Sequence, residues 1–244
     1  MITYLSIVEL KLRFTGTVLG FLWSVLEPLI QLLILYVIFT SIRAAEENFV
    51  IYLFSGLIMV HLFSRGTTQG MNSLFSKKSI ITSINIPKAV FPFSVILTHT
   101  YIFLIEIAIF FMFVVILDFK LSLTIIFLPL LYGLLIVLIT GISLLLSVTR
   151  IFFTDIRAIW GILTLSLIFI TPVFWRLESI SSELGRILLL NPLALLMTMS
   201  RDVIMFNTIP SIQVFLYAII SSFVILFIGW KVFSKLEKRI VENL

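Results

Sequence analysis

The sequence predicts an all-α integral membrane protein. Six transmembrane helices are expected, with an N-terminal amphipathic helix at the interface and two short external re-entrant or interfacial helices before the last span. Three observations carry this. The 244 residues are 61% hydrophobic and 12% charged, with mean hydropathy +1.23, whereas a soluble domain is about 45–50% apolar and about 25% charged. The solvent must therefore be largely lipid. The apolar residues fall into runs near the ~20 residues that cross about 30 Å of hydrocarbon. The basic residues are divided unequally between alternate connections.

The elements follow in order. Residues 1–20 are not a secretory signal, because Glu9, Lys11 and Arg13 fall in the middle and not before an apolar run. Leu5, Val8 and Leu12 share one helical face, which predicts a helix lying at the membrane surface. Spans are predicted at about 22–42, 49–70, 89–117, 122–148, 158–175 and 210–232. The segment 72–88, within NSLFSKKSIITSINIPKAVFP, is a polar, basic interruption between two of them.

Topology follows from the rule that Lys and Arg stay on the cytoplasmic side. With the N-terminus inside, Lys11, Arg13, Arg65, Lys77, Lys78, Lys88, Arg150, Arg157, Lys231, Lys235, Lys238 and Arg239 are cytoplasmic. Arg43, Lys120, Arg176, Arg186 and Arg201 are external, so the division is 12 against 5. Both termini are expected in the cytoplasm, and the protein is expected in the cytoplasmic (inner) membrane. The longest external connection, 176–209, contains LGRILLL, then Asn191–Pro192, then LALLMTMSRDVIMF. Pieces of this size lie at the interface or re-enter, and proline disfavours helix at the residue before it. Two short helices dipping into the outer leaflet are predicted, serving as a stabilising cap or as an external gate.

Several function classes are excluded or disfavoured. There is no cysteine, and only His61 and His99 could supply imidazole, so no metal centre is expected. None of the ten glycines precedes a lysine, so the chain lacks a Walker A loop and its own ATP site. No HExxH, GxSxG or paired-carboxylate spacing stands out, which argues against a membrane-bound glycosyl- or acyltransferase. A net charge of +5 reflects cytoplasmic loops, not a nucleic-acid partner.

Polar groups inside spans are costly and point to function. Trp23, Glu27 and Gln31 recur every fourth residue and share a face of the first span. Glu27, just before Pro28, reads either as an acid at the positive helix end or as part of a path. His61 and Arg65 begin a second polar stripe that runs on to Asn72. Arg65 reads as a snorkelling side chain or as a contact for an anionic headgroup. His99 and Glu106 are two turns apart, about 10 Å, too far to pair directly. Glu106 is expected to be protonated or bonded to a neighbouring helix; a proton-relay role for it defines a carrier alternative. Thr140, Ser143 and Ser147 form a small face suited to close helix packing.

Three blocks, in this order and in a chain of this size, carry a family likeness. They are LKLRFTGTVLGFLWSVLEPL, then SRGTTQGMNSLFSKKSIITSINIPKAVFPFS, and FTDIRAIWGILTLSLIFITPVFW followed by LLLNPLALLMTMSRDVI. The chain resembles the permease subunits of type-2 ABC exporters for polysaccharides, the O-antigen, capsule and teichoic-acid group. The chain departs from the usual pattern in two places: Glu27 stands where Gln is more common, and in the first internal loop Lys77 and Ser79 stand where Asn often occurs.

The resemblance implies two copies forming one path, driven by a separate ABC ATPase subunit that binds ATP and Mg, with no cofactor in this chain. It implies a lipid-linked polysaccharide moved from the cytoplasmic to the outer leaflet; a drug or lipid is the alternative cargo. It makes Asn72 to Pro87 the coupling helix, with Asn72, Ser73, Lys77, Lys78, Ile80 and Ile81 toward the ATPase and Asp155 and Arg157 in a second contact. Trp23, Glu27, Gln31, His61 and Arg65 become candidates for the path, with Arg65 meeting the carrier's diphosphate. Asn191, Pro192, Arg201 and Asp202 become candidates for the external gate.

Overall fold

The computed structural model describes residues 1–16, 18–42, 48–83, 86–175 and 181–240. Arg43, Arg176, residues 84–85 of the polar segment and 176–180 of the external connection lie outside these. The described residues form helices and no strands. The helices are α1 Ile2–Phe14, α2 Trp23–Ile42, α3 Phe49–Ser76, α4 Lys78–Ser83, α5 Val90–Ile116, α6 Leu128–Phe152, α7 Ile156–Ile170, α8 Ser182–Leu188, α9 Pro192–Met205 and α10 Ile212–Leu236. Short 3₁₀ turns precede α2 and α6 and follow α10.

Five described helical stretches are long and apolar enough to cross a bilayer, those holding α2, α3, α5, α6 and α10, which makes the chain a multi-pass membrane protein. The span predicted at 158–175 corresponds to α7, which has 15 residues, about 22 Å at 1.5 Å per residue. It stops because Thr171, held extended at ψ 148°, precedes Pro172. Thr171–Trp175 continues without helix.

The largest departure from expectation is in α3. A stop near residue 70 is predicted, yet the helix runs six residues further to Ser76. Its polar end closes on itself: Ser73 Oγ donates to the Gly70 carbonyl at 2.7 Å and Ser76 Oγ to the Ser73 carbonyl at 3.2 Å. These bonds satisfy the hydroxyls, while packing of the buried Gly70, Met71, Ser73 and Leu74 keeps the segment helical.

α3 is the central column, buried almost without interruption from Ile51 to Phe63. It packs against α5, α6, α9 and α2, while α10 lies along α6. The α6–α10 crossing is close enough that a side chain at Gly229 would strike the Gly141 backbone, the small-residue contact that membrane helices use to approach. Ser143 and Ser147 are fully buried, and Ser143 Oγ donates to the Gly66 carbonyl at 3.4 Å. At the α4 end, Leu74, Ile81, Phe91, Leu144, Val148, Phe233 and Ile240 form a second core that joins α3, α4, α5, α6, α10 and the C-terminal turn.

The outside of the bundle is apolar. Leu33, Val37, Leu165, Phe169, Ile220 and Phe227 are all more than half or nearly half exposed, and α2 and α10 are mostly uncovered. Surfaces of that kind require lipid or a protein partner.

Candidate functional site

The two polar stripes read from the sequence meet. One turn separates Glu27 from Gln31 on α2, and one turn separates His61 from Arg65 on α3, so both pairs face the helix junction. Arg65 Nη2 lies 2.9 Å from Glu27 Oε1, and Arg65 Nη1 donates to Glu106 Oε1 on α5 at 3.3 Å. His61 Nε2 is 2.7 Å from Gln31 Oε1, and its Nδ1 is 3.5 Å from Glu106 Oε1. One guanidinium thus bridges acids from two different helices. Side-chain exposure falls from 47% at Glu27 through 20% at Arg65 to 2% at Glu106, so the network grades from an open edge to a dry interior. A buried acid survives only when paired and hydrogen-bonded; Arg65 supplies both. Trp23 stands at the start of α2, 42% exposed, and makes no polar contact with the network among the described residues.

Arg13 of α1 approaches the same network, with Nη2 3.9 Å from Glu27 Oε2. Burial, and next the nearby Arg65 charge, push the Arg13 pKa down, against the pull of Glu27 and Glu106. One turn earlier, Glu9 Oε1 is 3.5 Å from Lys77 Nζ, and Thr98 Oγ1 of α5 donates to the Ser6 carbonyl at 3.1 Å. Burial raises the Glu9 pKa, opposed by Lys77 and Thr98. These contacts seat the surface helix on α3 and α5.

The polar segment at the α4 end is sorted by the fold. Asn72 and Ser73 belong to α3, and Ser73 is fully buried. Lys77 caps α3 and turns to Glu9, while Lys78 opens α4 and is exposed. Ile80 is 38% exposed, whereas Ile81 is 5% exposed and packs in the second core. The two isoleucines therefore do not form one ridge, because adjacent helical residues point about 100° apart. Phe75 and Phe153 are exposed on the same end, with the Arg150 guanidinium 4.7 Å over the Phe75 ring. Asp155 and Arg157, both exposed, begin α7 and line a shallow groove with Thr154 and Ala158.

At the opposite, α9 end, Asn191 accepts the Leu193 N–H at 3.0 Å and Pro192 follows as the first helical residue, a common helix start. Arg201 is only 3% exposed. Its Nη2 donates to the carbonyls of Tyr52 and Val173, each at 3.0 Å, its Nη1 donates to that of Pro172, and its guanidinium stacks 3.6 Å over the Tyr52 ring. Tyr52 Oη in turn donates to the Trp175 carbonyl at 2.6 Å. Arg201 and Tyr52 together satisfy the backbone of the non-helical stretch after α7. Asp202, next to it, is half-buried, and its carbonyl accepts from Thr208.

Sequence reasoning missed two things. It left Glu106 without a named partner, although a deep acid demands a cation and Arg65 is the one basic residue within the predicted spans 22–42, 49–70 and 89–117. It also left Arg201 outside the bundle; the signal was a lone cation in the apolar run LALLMTMSRDVIMF. No described group of three or more His, Asp or Glu is placed to hold a metal ion.

The arrangement is a helical membrane bundle with an ion-pair junction at one end and a carbonyl clamp at the other. No family model matches the chain. Along nearly its whole length it is similar to export permeases. An O-antigen export system permease protein RfbA from Klebsiella pneumoniae is 26% identical, covering 97% of this chain and 92% of the relative. The RfbA of Myxococcus xanthus is 25% identical with the same coverage. The polysialic acid transport protein KpsM of Escherichia coli is 28% identical, covering 96% of this chain and 93% of the relative. The likeness carried by three blocks thus extends from end to end.

Proposed function

We propose that this chain is the membrane-spanning subunit of a type-2 ABC exporter that moves a lipid-linked polysaccharide from the cytoplasmic to the outer leaflet. The observation that carries this reading is end-to-end similarity to the O-antigen and polysialic acid transport proteins. In this reading two copies form the path, both termini are cytoplasmic, and α7 with Thr171–Trp175 makes the sixth span. α8 and α9 form the external connection. A separate ATPase binds ATP and Mg and docks at the α4 end.

Three physical features support the details. The chain has no Walker A loop, so an engine must come from elsewhere. The α4 end offers an exposed apolar and basic surface of Phe75, Lys78, Ile80 and Phe153, beside Asp155 and Arg157, of the kind a partner covers. Arg65, 20% exposed, lies just behind Glu27 in the ion-pair junction, and a guanidinium binds phosphate oxygens in bidentate fashion.

The test is co-purification with an ATPase carrying a Walker A loop, followed by ATP hydrolysis measured with and without lipid-linked glycan. Stimulation by glycan, and not by unrelated lipids or drugs, is expected. Ile80→Asp is expected to abolish stimulation and export while leaving the permease inserted. Normal export from Ile80→Asp would remove α4 as the coupling element. Ile81 is unsuitable for this purpose, since a charge there would disturb the second core.

A further inference from the structure

The polar cleft between α1, α3 and α5 has a volume of about 370 Å³, within the range of small-ligand sites, about 300–1,000 Å³. It is distinct from the Arg65 junction. Arg13 and Lys77 stand on its walls, from α1 and from the end of α3, with the Gln69 amide between the two helices. Its α5 wall carries His99, whose ring is only 6% exposed and opens onto the cleft. His99 makes no hydrogen bond to any described residue. Its ring nitrogens are not sealed inside the bundle, so a ligand in the cleft can reach them.

The charges in the cleft favour an anion. Glu9, the one acid on its wall, is already held by Lys77 at 3.5 Å and by Thr98 at 3.4 Å. Arg13 brings a second cation to the cleft beside Lys77. Apolar Leu12 and Val95 flank the opening, and Leu12 is 60% exposed on the surface helix. A ligand with a phosphate at one end and hydrocarbon at the other matches this set of groups.

We propose that this cleft binds the phosphate of an anionic membrane lipid, with Arg13 and Lys77 on the phosphate oxygens, His99 donating one N–H to them, and the lipid tails leaving along Leu12. The inference does not rest on the export function. A lipid bound here would tie α1 to α3 and α5, adding to the Ser6–Thr98 and Glu9–Lys77 links.

The test uses the full-length chain, delipidated in neutral detergent and titrated with phosphatidylglycerol, a polyprenyl phosphate or phosphatidylcholine while native mass spectrometry counts bound lipid. Phosphatidylglycerol or polyprenyl phosphate is expected to bind, to be displaced by inorganic pyrophosphate, and to weaken with salt. Which of the two binds more tightly identifies the source of the phosphate. Arg13→Gln and His99→Leu are each expected to weaken binding by about tenfold, whereas Arg13→Lys stays within about threefold, because the charge remains. Thermal unfolding run in parallel separates lost binding from lost fold; should Arg13→Gln misfold, His99→Leu and the pyrophosphate competition decide. Equal binding of phosphatidylcholine, failure of pyrophosphate to compete, or unchanged affinity in a folded His99→Leu protein would overturn the proposal.

Discussion

Two arginines lie in the bundle, and their surroundings differ in kind. Arg65 is met by side chains: Glu27 of α2 and Glu106 of α5, with His61 and Gln31 beside them. Arg201 is met by backbone: the carbonyls of Tyr52, Pro172 and Val173, with the Tyr52 ring over its face. Side-chain partners on separate helices can part, and an incoming anion can replace them. Carbonyls at a helix break have no alternative donor inside a membrane. Arg65 sits where exchange is possible and Arg201 where it is not. One charge serves a junction that can move, and the other a corner that must not.

Five substitutions break or sharpen this contrast. The largest effect is expected for Arg201→Ala. It strands the Pro172 and Val173 carbonyls, whose bonds to a charged donor are each worth roughly 1.5–3 kcal/mol, while the Tyr52 carbonyl keeps Ser55 Oγ at 2.9 Å. A loss of at least ~3 kcal/mol follows, lowering the unfolding midpoint in mild detergent by about 6–12 °C. Arg201→Lys should recover little of it, since one ammonium cannot fork among three carbonyls. A midpoint within ~2 °C of the parent would end the distinction between the two arginines.

Glu106→Gln comes next. It removes the dry partner of Arg65 and leaves the guanidinium with the half-exposed Glu27, a cost of about 1–3 kcal/mol, read by the same unfolding assay. Gly56→Ala follows closely. Its new methyl would strike Arg201 Nη2, and overpacking of that kind costs about 1–3 kcal/mol; because Arg201 has little freedom to yield, the midpoint should fall without any change in insertion. The smallest effect on stability belongs to Glu27→Gln, below about 1 kcal/mol, because an exposed ion pair is largely screened. If Glu27→Gln destabilised the protein as much as Glu106→Gln, the gradient from open edge to dry interior would be wrong.

How much of this could be read beforehand depends on the element. Apolar run length and charge asymmetry are properties of single segments, and they located α2, α5 and α10 within a few residues. The end of α3 was not legible, because Gly70 to Ser76 is polar enough to read as a loop, while in the fold Gly70, Met71, Ser73 and Leu74 are buried and packing holds the helix. Glu27, Gln31, His61 and Arg65 were legible as two stripes, since spacing on one helix is visible in sequence. That they meet each other, and that Glu106 joins them, is a matter of packing between helices, which spacing does not contain. The same limit applies to α4. With six residues it offers less than two turns, too little periodicity to tell Ile80 from Ile81.

The Arg201 corner has a consequence in time as well as space. Tyr52 and Arg201 are 149 residues apart, and ribosomes add about 5–20 residues per second. The Tyr52 carbonyl, in the first turn of α3, therefore waits roughly 7–30 s for Arg201, while α5, α6 and α7 are being made. During that interval the newborn bundle holds a polar corner it cannot close. Its safe keeping falls to water, lipid headgroups or the insertion machinery until α9 arrives.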